Sequence, residues 1–217
     1  LKKYPMITTI VHQVNPSSYK VIGDHDIILH GPGYIKDTLE GFTFKIRPQS
    51  FYQVNPEQAV RLYNQALELA NISSTDVVLD AYSGVGTISL FASKYAKKVV
   101  GVELIKDAVE DAKDNAAFND IKHVEFVCED ATTFIKNSKE NFDVIIVDPP
   151  RDGLQQPFIE AVMESQTKKF VYISCEPSSL ARDLKILKQA YQVKKVIPVD
   201  MFSQTYHVES VTLLEKK

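Results

Sequence analysis

A cysteine stands at the end of a predicted buried strand. Cys175 follows residues 170–174, which are β-branched, aromatic or small, as in a strand covered on both faces. Pro177 favours the first turn of a helix, and leucines at helical spacing follow it. A thiol between a strand end and a helix N-terminus is expected to have a lowered pKa and to act as a nucleophile. The alternative is that Cys175 is one more small, buried, apolar residue.

Four acidic residues stand at or just beyond the ends of other predicted strands. In open sheets of parallel strands, ligands bind beyond the carboxyl ends of the strands. The acidic residues at these positions are Asp80, Glu103, Asp130 and Asp148. Acidic residues also form turns at strand ends, which is the alternative for each. Together with the cysteine, they predict a functional site along one edge of a sheet.

The loop after Asp80 favours an adenosine-type cofactor. Gly84 and Gly86 permit close approach of the backbone to a ligand. A dinucleotide-binding fingerprint has a third glycine where this chain has Ser89. Glu103, at the end of the next predicted strand, stands where a carboxylate binds both hydroxyls of a ribose. Because no feature suits a pyrophosphate, these residues favour S-adenosyl-L-methionine.

The loop that begins at Asp148 has the sequence Asp-Pro-Pro-Arg-Asp-Gly. Its two prolines stiffen the backbone and remove two hydrogen-bond donors. The loop can therefore hold Asp148 and Arg151 towards a planar substrate. The alternative is a proline-rich surface loop that presents an arginine to solvent.

Two residues near the C-terminus are candidates for a general base. Glu209 opens the last predicted strand and can reach over the sheet edge beside Cys175. His207 is the second candidate, although a lone histidine is more often packed and hydrogen-bonded.

Strand and helix patterns alternate over residues 49–217. Asn55 is expected to cap a helix that begins at Pro56. Alternating strands and helices predict a mostly parallel α/β sheet with right-handed crossovers. No helix separates the last two predicted strands, at 193–199 and 207–214, so we expect an antiparallel pair at one edge.

Residues 1–48 have a different pattern. Strand-like segments at 6–14, 27–30 and 43–46 surround a glycine- and proline-rich turn at 31–33. No hydrophobic core of their own is visible. We predict a β-rich remnant of a central or accessory domain.

The composition is that of a soluble globular enzyme, because 44% of the 217 residues are hydrophobic and 24% are charged. The net charge of −3 argues weakly against a large nucleic-acid surface. No apolar run approaches the roughly 20 residues of a membrane span. Two cysteines cannot form a disulfide framework or a four-cysteine metal site. We expect a cytoplasmic monomer with no metal and no membrane association.

Three segments together resemble the RNA uracil-C5-methyltransferase family. They are Asp-Pro-Pro-Arg-Asp-Gly at 148–153, Ser-Cys-Glu-Pro at 174–177 with Leu-Ala-Arg-Asp at 180–183, and Asp-Met-Phe at 200–202 with Thr205 and His-Val-Glu at 207–209. That family methylates uridine in tRNA or 23S rRNA with S-adenosyl-L-methionine. The resemblance covers residues 51–214 and implies a Rossmann-like methyltransferase domain over 49–217. It implies RNA as the substrate, and we favour 23S rRNA over tRNA.

The resemblance also implies roles for single residues. Cys175 matches the nucleophile, which would add to C6 of uracil and activate C5. Glu209 matches the base, which would remove the C5 proton. The positions that match cofactor contacts are Gln53, Tyr82, Glu103 and Asp148, with Asp130 near the adenine.

Two residues depart from the family pattern. Glu176 stands where asparagine is usual, and Ser203 stands where proline is usual. We expect Glu176 to raise the pKa of Cys175. The family's amino-terminal RNA-binding barrel and the iron–sulfur cysteines of some members are missing, which implies the catalytic part of a longer protein.

Two other functions remain open. The first is an amino-methyltransferase of the Asp/Asn-Pro-Pro type, which would have an aromatic residue where this chain has Arg151. The second is a non-catalytic RNA-binding module that keeps the fold.

Overall fold

A computed structural model describes residues 2–16, 23 and 25–217. The chain forms two compact units, Leu1–Tyr52 and Gln53–Lys217. This division lies four residues beyond the predicted boundary. The interpretation of the first unit as a domain remnant stays a prediction.

The described part of the first unit contains two antiparallel strand pairs. Strand β1 (Ile10–Val14) pairs with β2 (His25–His30), and β3 (Ile35–Leu39) pairs with β4 (Phe42–Ile46). Strand β3 was not predicted, because its sequence Ile-Lys-Asp-Thr-Leu has polar residues at its centre. The turn predicted at 31–33 is present, with left-handed backbone at Gly31 and Gly33 (φ 71° and 79°).

The second unit contains seven strands and six helices. The strands are β5 (Val77–Ala81), β6 (Lys98–Glu103), β7 (Val124–Cys128), β8 (Val144–Val147), β9 (Lys169–Ser174), β10 (Tyr191–Val199) and β11 (Glu209–Lys216). The helices are α1 (Pro56–Ala70), α2 (Thr87–Ser93), α3 (Lys106–Phe118), α4 (Ala131–Asn137), α5 (Gln156–Glu164) and α6 (Pro177–Leu187).

Within the described residues, these strands form one sheet in the order β10-β11-β9-β8-β5-β6-β7. Strands β5 to β9 are parallel, whereas β11 runs antiparallel to both β9 and β10. The predicted fold class, a mostly parallel seven-stranded sheet with an antiparallel edge, is confirmed.

Local sequence explains where α1 begins. The Asn55 side chain accepts a hydrogen bond from the backbone N–H of Gln58 (3.3 Å), and Pro56 occupies the first turn. Both features stabilise a helix N-terminus. The apolar face of the helix is buried at Ala59, Leu62 and Ala66, so packing supplies most of its stability.

The core lies on both faces of the parallel sheet. All four residues of β8 are buried, and the core around them includes Leu79, Phe158 and Tyr172. Burying each large apolar side chain contributes about 1.5–3 kcal/mol. This packing fixes the strands and therefore the positions of the residues that follow their carboxyl ends.

Candidate active site

The carboxyl ends of three central strands meet at one level of the sheet. Ala81 of β5 is aligned with Val102 of β6 and with Val147 of β8. The residues that directly follow these three in the chain are Tyr82, Glu103 and Asp148, respectively. The sheet therefore brings these three predicted site residues to one edge.

Cys175 and Glu209 meet at the same edge. Ser174 of β9 pairs with Ser210 of the antiparallel β11. Continuing this register by one residue places Glu209 beside Cys175, and both residues are half-buried. Because β8 is the other neighbour of β9, Asp148 lies on the opposite side of the cysteine.

The electrostatic surroundings of the thiol contradict one prediction. Burial raises the pKa of Cys175, and the charges of Glu209 and Asp148 raise this pKa further. Arg151 acts in the opposite direction and lowers it. The predicted lowering of the thiol pKa is therefore wrong, because burial and two carboxylates outweigh the favourable charges.

Glu176 caps helix α6. Its Oε1 accepts hydrogen bonds from the N–H (3.2 Å) and the hydroxyl (2.8 Å) of Ser178. These bonds lower the pKa of Glu176. The largest causes of the raised pKa of Cys175 are burial and the charges of Glu209 and Asp148. The expected effect of Glu176 on this pKa stays a prediction.

Three carboxyl groups in this part of the second unit have raised pKa values. Burial raises the pKa of Asp148 to about 8, with further contributions from Glu209 and Asp80. Burial raises the pKa of Glu209, against the effect of Arg151. It also raises the pKa of Asp80 to about 7. A cation beside Asp148 and Glu209 would stabilise the charged forms of these two groups.

The position of Asp80 near a strand end had suggested that it lines the edge of the sheet. In the structure it does not. It is fully buried, and its Oδ2 accepts a 2.6 Å hydrogen bond from the Ser89 hydroxyl. Its Oδ1 has no hydrogen-bond partner in the part of the chain that the structure describes. Ser89, at the position of the third fingerprint glycine, thus ties α2 to β5.

Glu103 is held by two backbone amides. Gly84 N–H donates to its Oε2 (3.1 Å), and Ile105 N–H donates to its Oε1 (2.9 Å). Gly84 has a left-handed backbone (φ 53°), and a Cβ at this residue would have no neighbour within 4 Å. The loop therefore leaves open space beside a fixed carboxylate, which suits a ligand with hydroxyl groups.

Tyr82 adopts an uncommon backbone conformation at the same edge. Its φ is +70°, a value that costs free energy in residues other than glycine and is found more often at functional sites. Its ring packs edge-on against Phe158, with centroids 5.6 Å apart. Burial, with smaller effects from Asp130 and Asp183, raises its pKa to about 12.

The other two predicted cofactor residues lie in different settings. Asp130 is exposed and caps α4, because its Oδ1 accepts from the N–H (2.9 Å) and hydroxyl (3.1 Å) of Thr133. Gln53 is half-buried just before α1. Close to it, the Asn55 side-chain amide donates to the Met201 carbonyl (2.9 Å), which joins this segment to the chain that leads into Glu209.

Two further residues form a network that was not predicted from the sequence. Asp183 is fully buried and accepts hydrogen bonds from Leu154 N–H (2.7 Å) and the Tyr172 hydroxyl (2.8 Å). Arg182 forms an ion pair with Asp183 (2.7 Å) and donates to the Asp152 carbonyl (2.7 Å). The only signal for this network was the Leu-Ala-Arg-Asp segment of the resemblance.

The residues at this edge fit S-adenosyl-L-methionine. Its sulfonium is a cation, which complements the carboxyl groups with raised pKa values, and its ribose hydroxyls match the fixed carboxylate of Glu103. Within the described ranges, no set of three or more Cys, His, Asp or Glu side chains is arranged to bind a metal. The helices described are each too short or too polar to cross a membrane.

Comparison with solved structures defines the fold class of the chain. An N-methyltransferase from Bradyrhizobium japonicum, NodS, matches with a TM-score of 0.62 at 15% identity, over 76% of this chain and all of that chain. Likeness at this identity shows the fold alone, which is the Rossmann-like methyltransferase fold.

The particular family follows from the sequence. The model of the tRNA (uracil-5-)-methyltransferase family matches residues 20–217, so the chain belongs to this family. The predicted family resemblance is confirmed. The Pyrococcus abyssi tRNA (uracil-54, C5)-methyltransferase, solved in complex with S-adenosyl-L-homocysteine, matches with a TM-score of 0.81 and 34% identity. The match covers 95% of this chain and 50% of that chain.

Curated relatives agree with this assignment. Uncharacterized RNA methyltransferases of Oceanobacillus iheyensis and Caldanaerobacter subterraneus are 47% and 46% identical over 100% and 99% of this chain. These matches cover 48% and 49% of the relatives. The chain therefore spans about half the length of the curated relatives that it matches.

Proposed function

We propose that this chain is the catalytic part of an enzyme that methylates C5 of a uridine in structured RNA with S-adenosyl-L-methionine. The observation that carries this proposal is the register that places Glu209 beside Cys175, with Asp148 on the other side of the thiol. Family membership and the S-adenosyl-L-homocysteine bound to the archaeal relative support it.

The first step uses Cys175 to activate the base. C5 of uracil is a poor nucleophile, so the thiolate adds to C6 and forms an S–C6 bond. The electrons of the C5=C6 double bond move into an enolate through C4 and O4. Because the pKa of the thiol is raised, forming the thiolate costs free energy, and Arg151 reduces this cost.

The cofactor residues would hold the methyl donor beside C5. Glu103 would bind the ribose, Gly84 and Tyr82 would line its loop, and Asp148 would face the positive sulfonium. Gln53 and Asp130 are the remaining proposed contacts. When bound, S-adenosyl-L-methionine supplies an electrophilic methyl group.

Glu209 completes the reaction as the general base. Burial raises the pKa of Glu209. A carboxylate with a higher pKa is a stronger base, which suits a group that must accept a proton. The carboxylate takes the C5 proton, the C–H electrons restore the C5=C6 bond, and the S–C6 bond breaks. The thiolate of Cys175 is then free for another cycle.

The substrate is a uridine that leaves its stack, because C5 and C6 are not accessible to a cysteine and a cofactor within a helix. The preference for 23S rRNA over tRNA stays a prediction. The archaeal relative acts on tRNA, so the two RNAs need a direct comparison.

Transfer of a labelled methyl group to tRNA and 23S rRNA transcripts tests the proposal, with nucleoside analysis to locate the methyl group. We expect 5-methyluridine. Cys175→Ala should bind the cofactor and give no product, and Glu209→Gln should accumulate a covalent protein–RNA adduct. Methyl groups on an exocyclic nitrogen would favour the amino-methyltransferase, and cofactor-independent RNA binding without transfer would favour the non-catalytic module.

A further inference from the structure

Two neighbouring aromatic rings are in contact in the segment between β10 and β11. The ring centroids of Tyr206 and His207 are 4.1 Å apart, with 40° between the ring planes. Tyr206 is 89% exposed. An aromatic ring with this exposure has a π-face that is open to a ligand.

The backbone under these rings is fixed by local hydrogen bonds. The Thr205 hydroxyl donates to the Phe202 carbonyl (2.9 Å) and accepts from His207 N–H (3.2 Å). Met201, at the start of the segment, is buried and is bound by the Asn55 side chain. The aromatic pair is therefore presented by an ordered turn.

This turn borders the candidate active site. His207 lies two residues before Glu209, and the pairing of β11 with β9 ends at Ser210 and Ser174, so this turn adjoins the part of the chain that contains Cys175. The effect of His207 on the pKa of Glu176 agrees with this position. His207 therefore lies near Glu176, the residue that follows Cys175.

We propose that the Tyr206–His207 pair is a stacking surface for an RNA base next to the target uridine. The inference rests on the proposed function, because it takes RNA as the ligand. A uridine that leaves its stack exposes the faces of its neighbours, and an aromatic side chain can stack on such a face. Tyr206 carries no charge, so its ring favours the face of a base over a phosphate.

Substitution of Tyr206 tests the stacking surface in the full chain. We expect Tyr206→Ala to raise KM and Kd for RNA roughly tenfold. The value of kcat at saturating RNA, the cofactor affinity and the salt dependence of RNA binding should stay unchanged, because no phosphate contact is lost. Tyr206→Phe and Tyr206→Trp should retain binding, since stacking requires the ring and not the hydroxyl.

Tyr95→Ala is the matched control. Tyr95 is also exposed (50%), but it lies between α2 and the amino end of β6, away from the site. A 2-aminopurine placed beside the target uridine gives a direct readout, because stacking on Tyr206 should quench its fluorescence. We expect this quenching with the wild type and Tyr95→Ala, and its loss with Tyr206→Ala.

The outcomes separate the inference from the proposed function. Unchanged RNA affinity and quenching in Tyr206→Ala would overturn the stacking surface, and equal losses in Tyr206→Phe would assign the effect to the hydroxyl. A wild type that binds RNA but methylates none would contradict the proposed function. The binding and quenching measurements would still decide the role of Tyr206.

Discussion

At the scale of single residues, ionisation of Cys175 is the costly event in the proposed reaction. The thiol is half-buried between Glu209 and Asp148, which both raise its pKa. Arg151 is the charged residue that acts in the opposite direction. The pH at which the enzyme works should therefore depend on Arg151.

We expect the single-turnover rate to rise with pH through the neutral and alkaline range, because the raised pKa leaves little thiolate near pH 7. Arg151→Gln removes the charge that lowers this pKa, so its pH–rate profile should move to higher pH and its rate at pH 7.5 should fall several-fold. Arg151→Lys keeps the charge and is the control. Superimposable profiles for Arg151→Gln and the wild type would contradict this electrostatic role.

The sequence alone predicted that Glu103, Asp148, Cys175 and Glu209 lie at the edge of the sheet, because the strand pattern shows where each strand begins or ends. It could not show on which side of β5 the carboxyl of Asp80 lies. That orientation depends on a hydrogen bond from Ser89 of the following helix. The pKa of Cys175 was likewise out of reach, since it depends on charges from two other segments of the chain, the loop at 148–153 and the start of β11.

At the scale of elements, helix α6 fastens the loop that follows β8. The buried Asp183 binds the backbone N–H of Leu154, while Arg182 binds the Asp152 carbonyl. The backbone at Gly153 is left-handed, and a Cβ there would lie 2.6 Å from Asp183 Oδ2. This network holds the loop that carries Asp148 and Arg151.

Asp183→Asn should lower the free energy of unfolding by about 2–4 kcal/mol, because it leaves buried donors and Arg182 without their charged partner. Urea denaturation should show a lower midpoint and an unchanged m-value. Glu110→Gln, at an exposed position of α3, should change stability by less than about 0.5 kcal/mol. A loss no larger than that of the control would exclude the network as a major source of stability.

The alternating pattern predicted most elements of the second unit. The alternating pattern does not predict the register between strands. The register of β11 with β9 places Glu209 beside Cys175. Pairing depends on which residues of two distant segments pack together, and the apolar pattern of one segment does not specify that.

At the scale of the whole molecule, buried carboxyl groups link folding to pH. The pKa of Asp80 is raised from its ordinary value to about 7 in the folded chain, so the folded state holds a proton that the unfolded state releases at lower pH. The resulting stability is fully present below pH 4 and is lost as the pH rises to about 7. Asp148, with some solvent contact, acts in the same direction up to about pH 8.

We therefore expect the carboxyl groups of Asp80 and Asp148 to lower the free energy of unfolding as the pH rises from 5 to 8. The slope from Asp80 should be at most about 1.4 kcal/mol per pH unit. Urea denaturation at several pH values measures this dependence, and Asp80→Asn should make it shallower. An unchanged slope in Asp80→Asn would show that this carboxyl does not hold a proton in the folded chain.

Trapping the covalent intermediate tests the account most directly. In RNA with 5-fluorouridine at the target position, C5 carries fluorine in place of the proton that Glu209 removes, so the S–C6 bond should persist after methyl transfer. Peptide mapping by mass spectrometry should find the methylated nucleotide on Cys175, only when S-adenosyl-L-methionine is present. Attachment to another residue, or normal 5-methyluridine formation by Cys175→Ala on unmodified RNA, would contradict the account.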